Sequence, residues 1–217
     1  ALLTDGWAVY FCSRSAESVA AALERFRTLE DSRVFGRVVD VRDEAEVAQA
    51  VDWVVTEAGR IDCLINNAGL GVFGPVDELS PEDWRRVLRT NLDSAFYGIH
   101  AVAPHMKRRG DGWIINIASL AGLNSIPGGA AYNASKFGLL GLSDASMLDL
   151  RPHGIRVSAI LPGSVATDFS APSATTDESW KLTSEDVAQA VTDLLRYPDR
   201  ALPSRLELRP ARVPVKK

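Results

Sequence analysis

Residues 132–136, Tyr-Asn-Ala-Ser-Lys, follow a Gly-Gly pair at 128 and 129 and open an Ala- and Leu-rich stretch with helical spacing. On a helix Tyr132 and Lys136 stand one turn apart and share a face. A free phenol titrates near pH 10, too high for ready proton exchange around neutrality. An ammonium roughly 4 to 6 Å away, at an effective dielectric of about 20, favours the phenolate by about 3 to 4 kcal/mol before desolvation subtracts. The pair is therefore expected to do acid/base work on a substrate oxygen. Ser119 precedes Tyr132 by 13 positions, follows the apolar run 114–117, and brings a hydroxyl able to hydrogen-bond the same oxygen. Each feature has an ordinary alternative: Tyr and Lys at this spacing occur on many surface helices, and a serine after a strand often only shapes a turn.

Elements able to hold these groups can be read along the chain. Apolar or β-branched runs at 7–12, 34–39, 61–66, 113–117, 157–161 and 206–208 read as strands, most of them apolar at nearly every position, as when helices cover both sheet faces. Between them run helical stripes, Val19, Leu23 and Phe26 in one and Val47, Val51, Val54, Val55 and Ala58 in another. Ser80 with Pro81 and Asp83, and Thr183 with Asp186, mark helix starts. Strict alternation predicts an α/β fold: a Rossmann-like doubly wound parallel sheet in three layers, with functional residues just after the strands.

The 217 residues, 46% hydrophobic, suit one domain, 1–217, with 210–217 a loosely ordered tail. A net charge of -4 without a basic run argues against nucleic acid or anionic lipid, and no run approaches the roughly 20 apolar residues of a membrane span. A cytoplasmic location is expected, with an upstream targeting segment left open by the start at Ala1. Cys12 and Cys63 stand in apolar runs, not in metal or redox spacing, and read as reduced core residues. No metal site is expected.

Taken in order, Asn66-Asn67-Ala68-Gly69, Asn91 in a long helix, Ser119, the Tyr132/Lys136 pair, and Pro162-Gly163 with Thr167 resemble the short-chain dehydrogenases/reductases over nearly the whole chain. The resemblance implies hydride transfer between a nicotinamide and a carbonyl or alcohol carbon, with the hydride chemistry belonging to the cofactor. Tyr132 would exchange the proton with the substrate oxygen, Lys136 would lower its pKa and hold the nicotinamide ribose, and Ser119 would orient the oxygen. Asn91 would hold a water linking Lys136 to solvent, although an Asn within a helix can simply bond backbone. Cofactor contacts are implied at Asp40, Val41, Asn67, Ala68, Gly69, Pro162, Gly163, Val165 and Thr167, besides Tyr132 and Lys136.

No acidic residue follows the run 7–12; Arg14 stands there instead and offers a fork for a 2′-phosphate, which predicts NADP(H) over NAD(H). The family's Gly-rich phosphate loop has no counterpart, and residues 1–6 read as the end of the helix that follows it. The resemblance thus implies that a strand of about five or six residues, the loop and about two helical turns belong upstream. That strand would lie between the strands at 7–12 and 61–66, leaving two unpaired inner edges. The rival reading is a non-catalytic scaffold or nucleotide sensor that kept the fold without the loop; the longer epimerase/dehydratase branch lacks the Asn-Asn-Ala-Gly seen here.

Segments 70–80, 120–131 and 164–180 should meet the substrate, with a short lid at 166–180. None contains Lys, Arg or His, which favours a substrate neutral at its reacting end, as in a carbonyl or 3-oxoacyl reductase. The long helices 81–109 and 130–151 are implied to pair copies into a homodimer or homotetramer. Leu139, Leu142 and Met147 serve either that bundle or the core.

Overall fold

Apolar runs and amphipathic stripes alternate along the chain, and the computed structural model, which describes residues 1–26, 33–167, 169 and 178–212, shows them assembled. Among the described residues the strands are β1 (Val9–Ser13), β2 (Val34–Val38), β3 (Cys63–Asn66), β4 (Gly112–Ile117), β5 (Ile155–Pro162) and β6 (Arg205–Leu208), all paired parallel. The helices between them are α1 (Ala16–Phe26), α2 (Glu44–Ala58), α3 (Pro81–Leu88), α4 (Ser94–Arg109), α5 (Ala130–Leu150) and α6 (Ser184–Leu195). No helix among the described residues is long and apolar enough to cross a membrane.

The near-continuous apolar character of β4 and β5 has a direct cause in burial from both sides. Ile114 and Val157 pack against Ile99, Val102 and Met106 of α4 and Leu150 of α5. On the opposite face Trp113, Ile115 and Ile160 meet Ala190, Val191 and Leu194 of α6. Leu139 belongs to the core, and Leu142 and Met147 pack against it, so these three side chains face inward. Exposed apolar residues on α4 and α5 are instead Phe96, Phe137 and Leu148.

Sheet order is β1-β2 in one piece and β3-β4-β5-β6 in another. The facing edges of β1 and β3 pair with no strand among the described residues. Val9, Val34, Ile65 and Val191 line an apolar cleft of about 240 Å³ there, together with Leu2 and Leu3.

Several boundaries differ from the sequence reading. The first strand starts at Val9, because the Trp7 amide donates to the Leu2 carbonyl instead of to a neighbouring strand. Residues 1–6 form turns, with Asp5 N–H on the Ala1 carbonyl and a stop at Gly6 (φ +83°). Cys12 is exposed, near the end of a strand that among the described residues is paired on one edge only, so it is not a core residue. Cys63 is half-buried, and burial pushes its thiol up to about 12. Both helix starts form as expected: Ser80 Oγ accepts from Asp83 N–H at 3.0 Å, and Thr183 and Asp186 close a capping box. Most of the tail and of the segment 166–180 lies outside the described residues.

The long helix expected at 81–109 is interrupted. Between α3 and α4, Arg89–Asp93 winds as one π-helical turn, with the Ser94 amide on the Arg89 carbonyl five residues back. Such turns insert one residue into an otherwise α-helical column and occur often at functional sites.

Candidate active site

Ser119 follows β4 in extended backbone (φ -173°), and its hydroxyl accepts the Ala121 amide at 3.1 Å, capping the tight turn Leu120–Gly122. Gly122 lets that turn lie directly on α5: a Cβ there would stand 2.8 Å from the Lys136 carbonyl oxygen. Close backbone approach is how the strand-end serine reaches the first turn of α5. Its side chain is near enough to Tyr132 to lower the phenol's pKa. Lys136, 4% exposed, donates from Nζ to the Ile117 carbonyl at 2.9 Å, and Nζ lies 5.8 Å from the centroid of the Tyr132 ring.

Electrostatics here overturn one expectation. Burial raises the Tyr132 pKa, with the Ser119 hydrogen bond pulling it only partly back. The cost of stripping water from the phenolate exceeds what the site returns to it. Burial likewise draws the Lys136 ammonium down to about 8, so the cation meant to stabilise a phenolate is itself weakened.

That depressed value fixes a sign. Below pH about 8 folded and unfolded chains both hold the lysine proton, and folding takes the full desolvation penalty. Between about 8 and the unperturbed 10.5 the unfolded chain holds a proton that the folded chain has released, so stability rises with pH across that window. Lys136→Met should lack this rise and be more stable than the wild type at pH 7, by up to about 3 kcal/mol less what the bond to Ile117 returned. Urea unfolding at pH 7 and 9.5 measures both; parallel changes in the two proteins would show that the ammonium is not penalised.

Asn91 sits in the π-helical turn, 1% exposed. Its carboxamide grips the backbone of Leu70 from both sides, accepting the amide and donating to the carbonyl, each at 2.8 Å. It also donates to Ser135 Oγ at 2.9 Å, and Ser135 donates to the Tyr132 carbonyl. The side chain is thus engaged in fixing a loop and the start of α5.

Asn133 is a positioning residue that sequence reasoning passed over. It donates to the Ala121 and Asn124 carbonyls at 2.6 and 3.0 Å and accepts the Ile126 amide at 3.1 Å, stitching 121–126 onto α5. A signal existed, since a buried Asn between Tyr and Ser on a helix must bond something. Asn66 donates to Asn116, and Asn116 to Ser143, both at 2.8 Å, tying β3, β4 and α5 beneath the site.

The remaining candidates fall on the same sheet edge. Asn67, Ala68 and Gly69 are exposed just beyond β3, and a Cβ on Gly69 would lie 3.6 Å from Asn91 Oδ1 and 3.8 Å from Lys136 Nζ. Pro162 ends β5, the Gly163 amide bonds the Leu208 carbonyl, Val165 bridges to Leu182, and Thr167 Oγ1 accepts the Phe169 amide at 3.4 Å. A second cluster forms beyond β1 and β2: Arg14 is exposed, Val41 half-buried, and Asp40 forms a forked ion pair with Arg42 at 2.5 Å. The Arg42 guanidinium holds the Asp40 carboxyl down at about 2, with Arg14 adding to the effect.

Two aromatic residues were not foreseen. Phe73 and Phe169 flank Tyr132, each ring centroid 5.5 Å from that of the phenol.

Parallel strands ending in a Ser/Tyr/Lys cluster, with an exposed Asn-Ala-Gly beside it, define the class of α/β proteins whose ligand crevice lies at the strands' carboxyl ends. The chain belongs to the short chain dehydrogenase family, whose sequence pattern matches residues 1–178. It is 36% identical to cyclopentanol dehydrogenase of Comamonas testosteroni over 166 residues, 76% of this chain and 66% of that protein. It is 42% identical to trans-4-hydroxycyclohexanecarboxylate dehydrogenase of Sinomonas cyclohexanicum over 133 residues, 61% of this chain and 51% of that one. The chain thus spans about half to two thirds of these relatives. Among solved structures, an alcohol dehydrogenase of the archaeon Thermococcus sibiricus, complexed with 5-hydroxy-NADP, superposes with a TM-score of 0.89 at 26% identity, covering 99% of this chain and 91% of that one.

Proposed function

We propose that this protein is an NADPH-dependent oxidoreductase that interconverts a ketone and a secondary alcohol. The observation that carries the reading is the convergence of Ser119 and Tyr132 with the buried Lys136, one helical turn from Tyr132, whose Nζ lies 5.8 Å from the centroid of the Tyr132 ring. A scaffold or sensor would have no use for a lysine buried at such cost.

The residues present fit a nicotinamide cofactor. An ammonium has three donors, and among the described residues Lys136 has one acceptor, the Ile117 carbonyl, so a buried donor remains for a ribose hydroxyl. Exposed Asn67, Ala68 and Gly69 would border that ribose, Thr167, Val165, Pro162 and Gly163 the nicotinamide side, Asp40 and Val41 the adenine, and Arg14 a 2′-phosphate. The hydride is supplied or taken up by the nicotinamide when the cofactor is bound.

The chain's own residues handle the proton. Ser119 donates to the substrate carbonyl oxygen and fixes it next to the phenol. Tyr132, held protonated by its burial, delivers its proton to that oxygen as the alkoxide develops. The phenolate left behind lies near the Lys136 ammonium, whose charge offsets part of its desolvation cost. In the reverse direction Tyr132 removes the hydroxyl proton. Two relatives act on ring alcohols by name and one solved neighbour holds an NADP derivative, which supports the reaction class and the cofactor. The exposed Phe96, Phe137 and Leu148 on α4 and α5 suit a homo-oligomer paired through these helices.

The test is direct: the purified protein should oxidise NADPH with neutral cyclic and acyclic ketones at 340 nm, with little turnover of phosphorylated carbonyls. Cofactor binding without turnover of any carbonyl would favour the sensor.

A further inference from the structure

Phe73 and Phe169 come from different loops yet meet the same phenol, each with its ring tilted against it, by 58° and 57°. Their convergence depends on Gly71: a Cβ there would stand 2.6 Å from Phe73 Cε2 and 3.0 Å from Phe169 Cε1. Both rings keep much of their surface in solvent, 47% for Phe73 and 40% for Phe169, although neither belongs to the core. Ile126 and Val76 add exposed apolar surface on the loops 124–129 and 71–76, which are joined by the Gly74 amide on the Gly128 carbonyl. Unburied aromatic surface at a proton-donating hydroxyl is a place where apolar ligand surface can be covered.

We infer that Phe73 and Phe169 are specificity-determining residues that form two walls of a slot for an alicyclic ketone or alcohol. Two apolar walls beside the phenol favour a compact ring, which presents broad apolar surface to both with little conformational entropy to lose. An open-chain ketone of equal carbon count must freeze several torsions to cover the same area. The slot positions the ring carbon bearing oxygen next to Ser119 and Tyr132, and the inference rests on the oxidoreductase reading above.

The test compares cyclohexanone with hexan-2-one, each of six carbons, as kcat/KM with NADPH. The wild type should prefer the ring. Phe73→Ala and Phe169→Ala should each lower the ratio of the two efficiencies about tenfold or more, chiefly through the KM for cyclohexanone, and Phe73→Trp should hold the ratio within about threefold of wild type. A ratio unchanged in both alanine variants, or an equal loss on both ketones, overturns the walls. If the wild type turns over neither ketone, the oxidoreductase reading falls, and saturation-transfer NMR with cyclohexanol decides the slot separately. Transfer to the ring that disappears in Phe73→Ala and Phe169→Ala supports it; transfer that persists or never occurs overturns it.

Discussion

Tyr132→Phe should lower ketone reduction by about 10²- to 10⁴-fold while cofactor affinity stays within about threefold of wild type. The phenylalanine ring keeps the packing against Phe73 and Phe169. What disappears is the hydroxyl beside Ser119 that carries the transferable proton. Because burial holds the phenol above its ordinary pKa of 10.0, wild-type reduction should not fall as pH rises toward that value through loss of this acid. Lys136, near 8 in the free protein, titrates first, so any earlier decline belongs to the lysine. Steady-state kinetics and fluorescence titration of NADPH measure the two quantities. A variant keeping more than about a tenth of wild-type turnover removes Tyr132 from its role.

Arg14→Ala should erode a preference for NADPH over NADH by about ten- to a hundredfold, the worth of a charge-assisted contact to phosphate. Arg14 is exposed just past β1, and its charge reaches Asp40. Its neighbour Arg42 is committed to the Asp40 carboxylate through two nitrogens and is a poorer candidate for a phosphate. Dissociation constants for both cofactors, in the wild type and the variant, provide the comparison. Equal affinity for NADPH and NADH in the wild type would end the argument, and an intact preference in the variant would assign the phosphate to another cation.

Much of this molecule is legible in its sequence because burial writes directly into composition. Strands β4 and β5 are covered on both faces and read as unbroken apolar runs; the caps at Ser80 and Thr183 follow from side chains that satisfy helix amides. The Ser119, Tyr132 and Lys136 cluster was legible from spacing plus family pattern. Three things were not. The π-helical turn at Arg89–Asp93 has no composition of its own, since any residue adopts helical dihedrals. Phe73 and Phe169 lie in loops, where an aromatic residue belongs to no periodic pattern and its neighbours are set by tertiary structure. The direction of the Tyr132 shift was misread because spacing reveals the attraction of a nearby ammonium but not the water removed from both groups.

The π-helical turn also has a genetic reading. One inserted residue rotates everything after it by about 100° about the helix axis, so α3 and α4 present faces that a regular helix of the same length could not align. Asn91 points at Leu70 while Val102 and Met106, further along the same column, still point at the sheet. Removing any one residue from 89–93 would restore a regular column and at the same time turn either the asparagine or the core stripe away from its partner. This stretch should accordingly tolerate changes of residue type far better than changes of length.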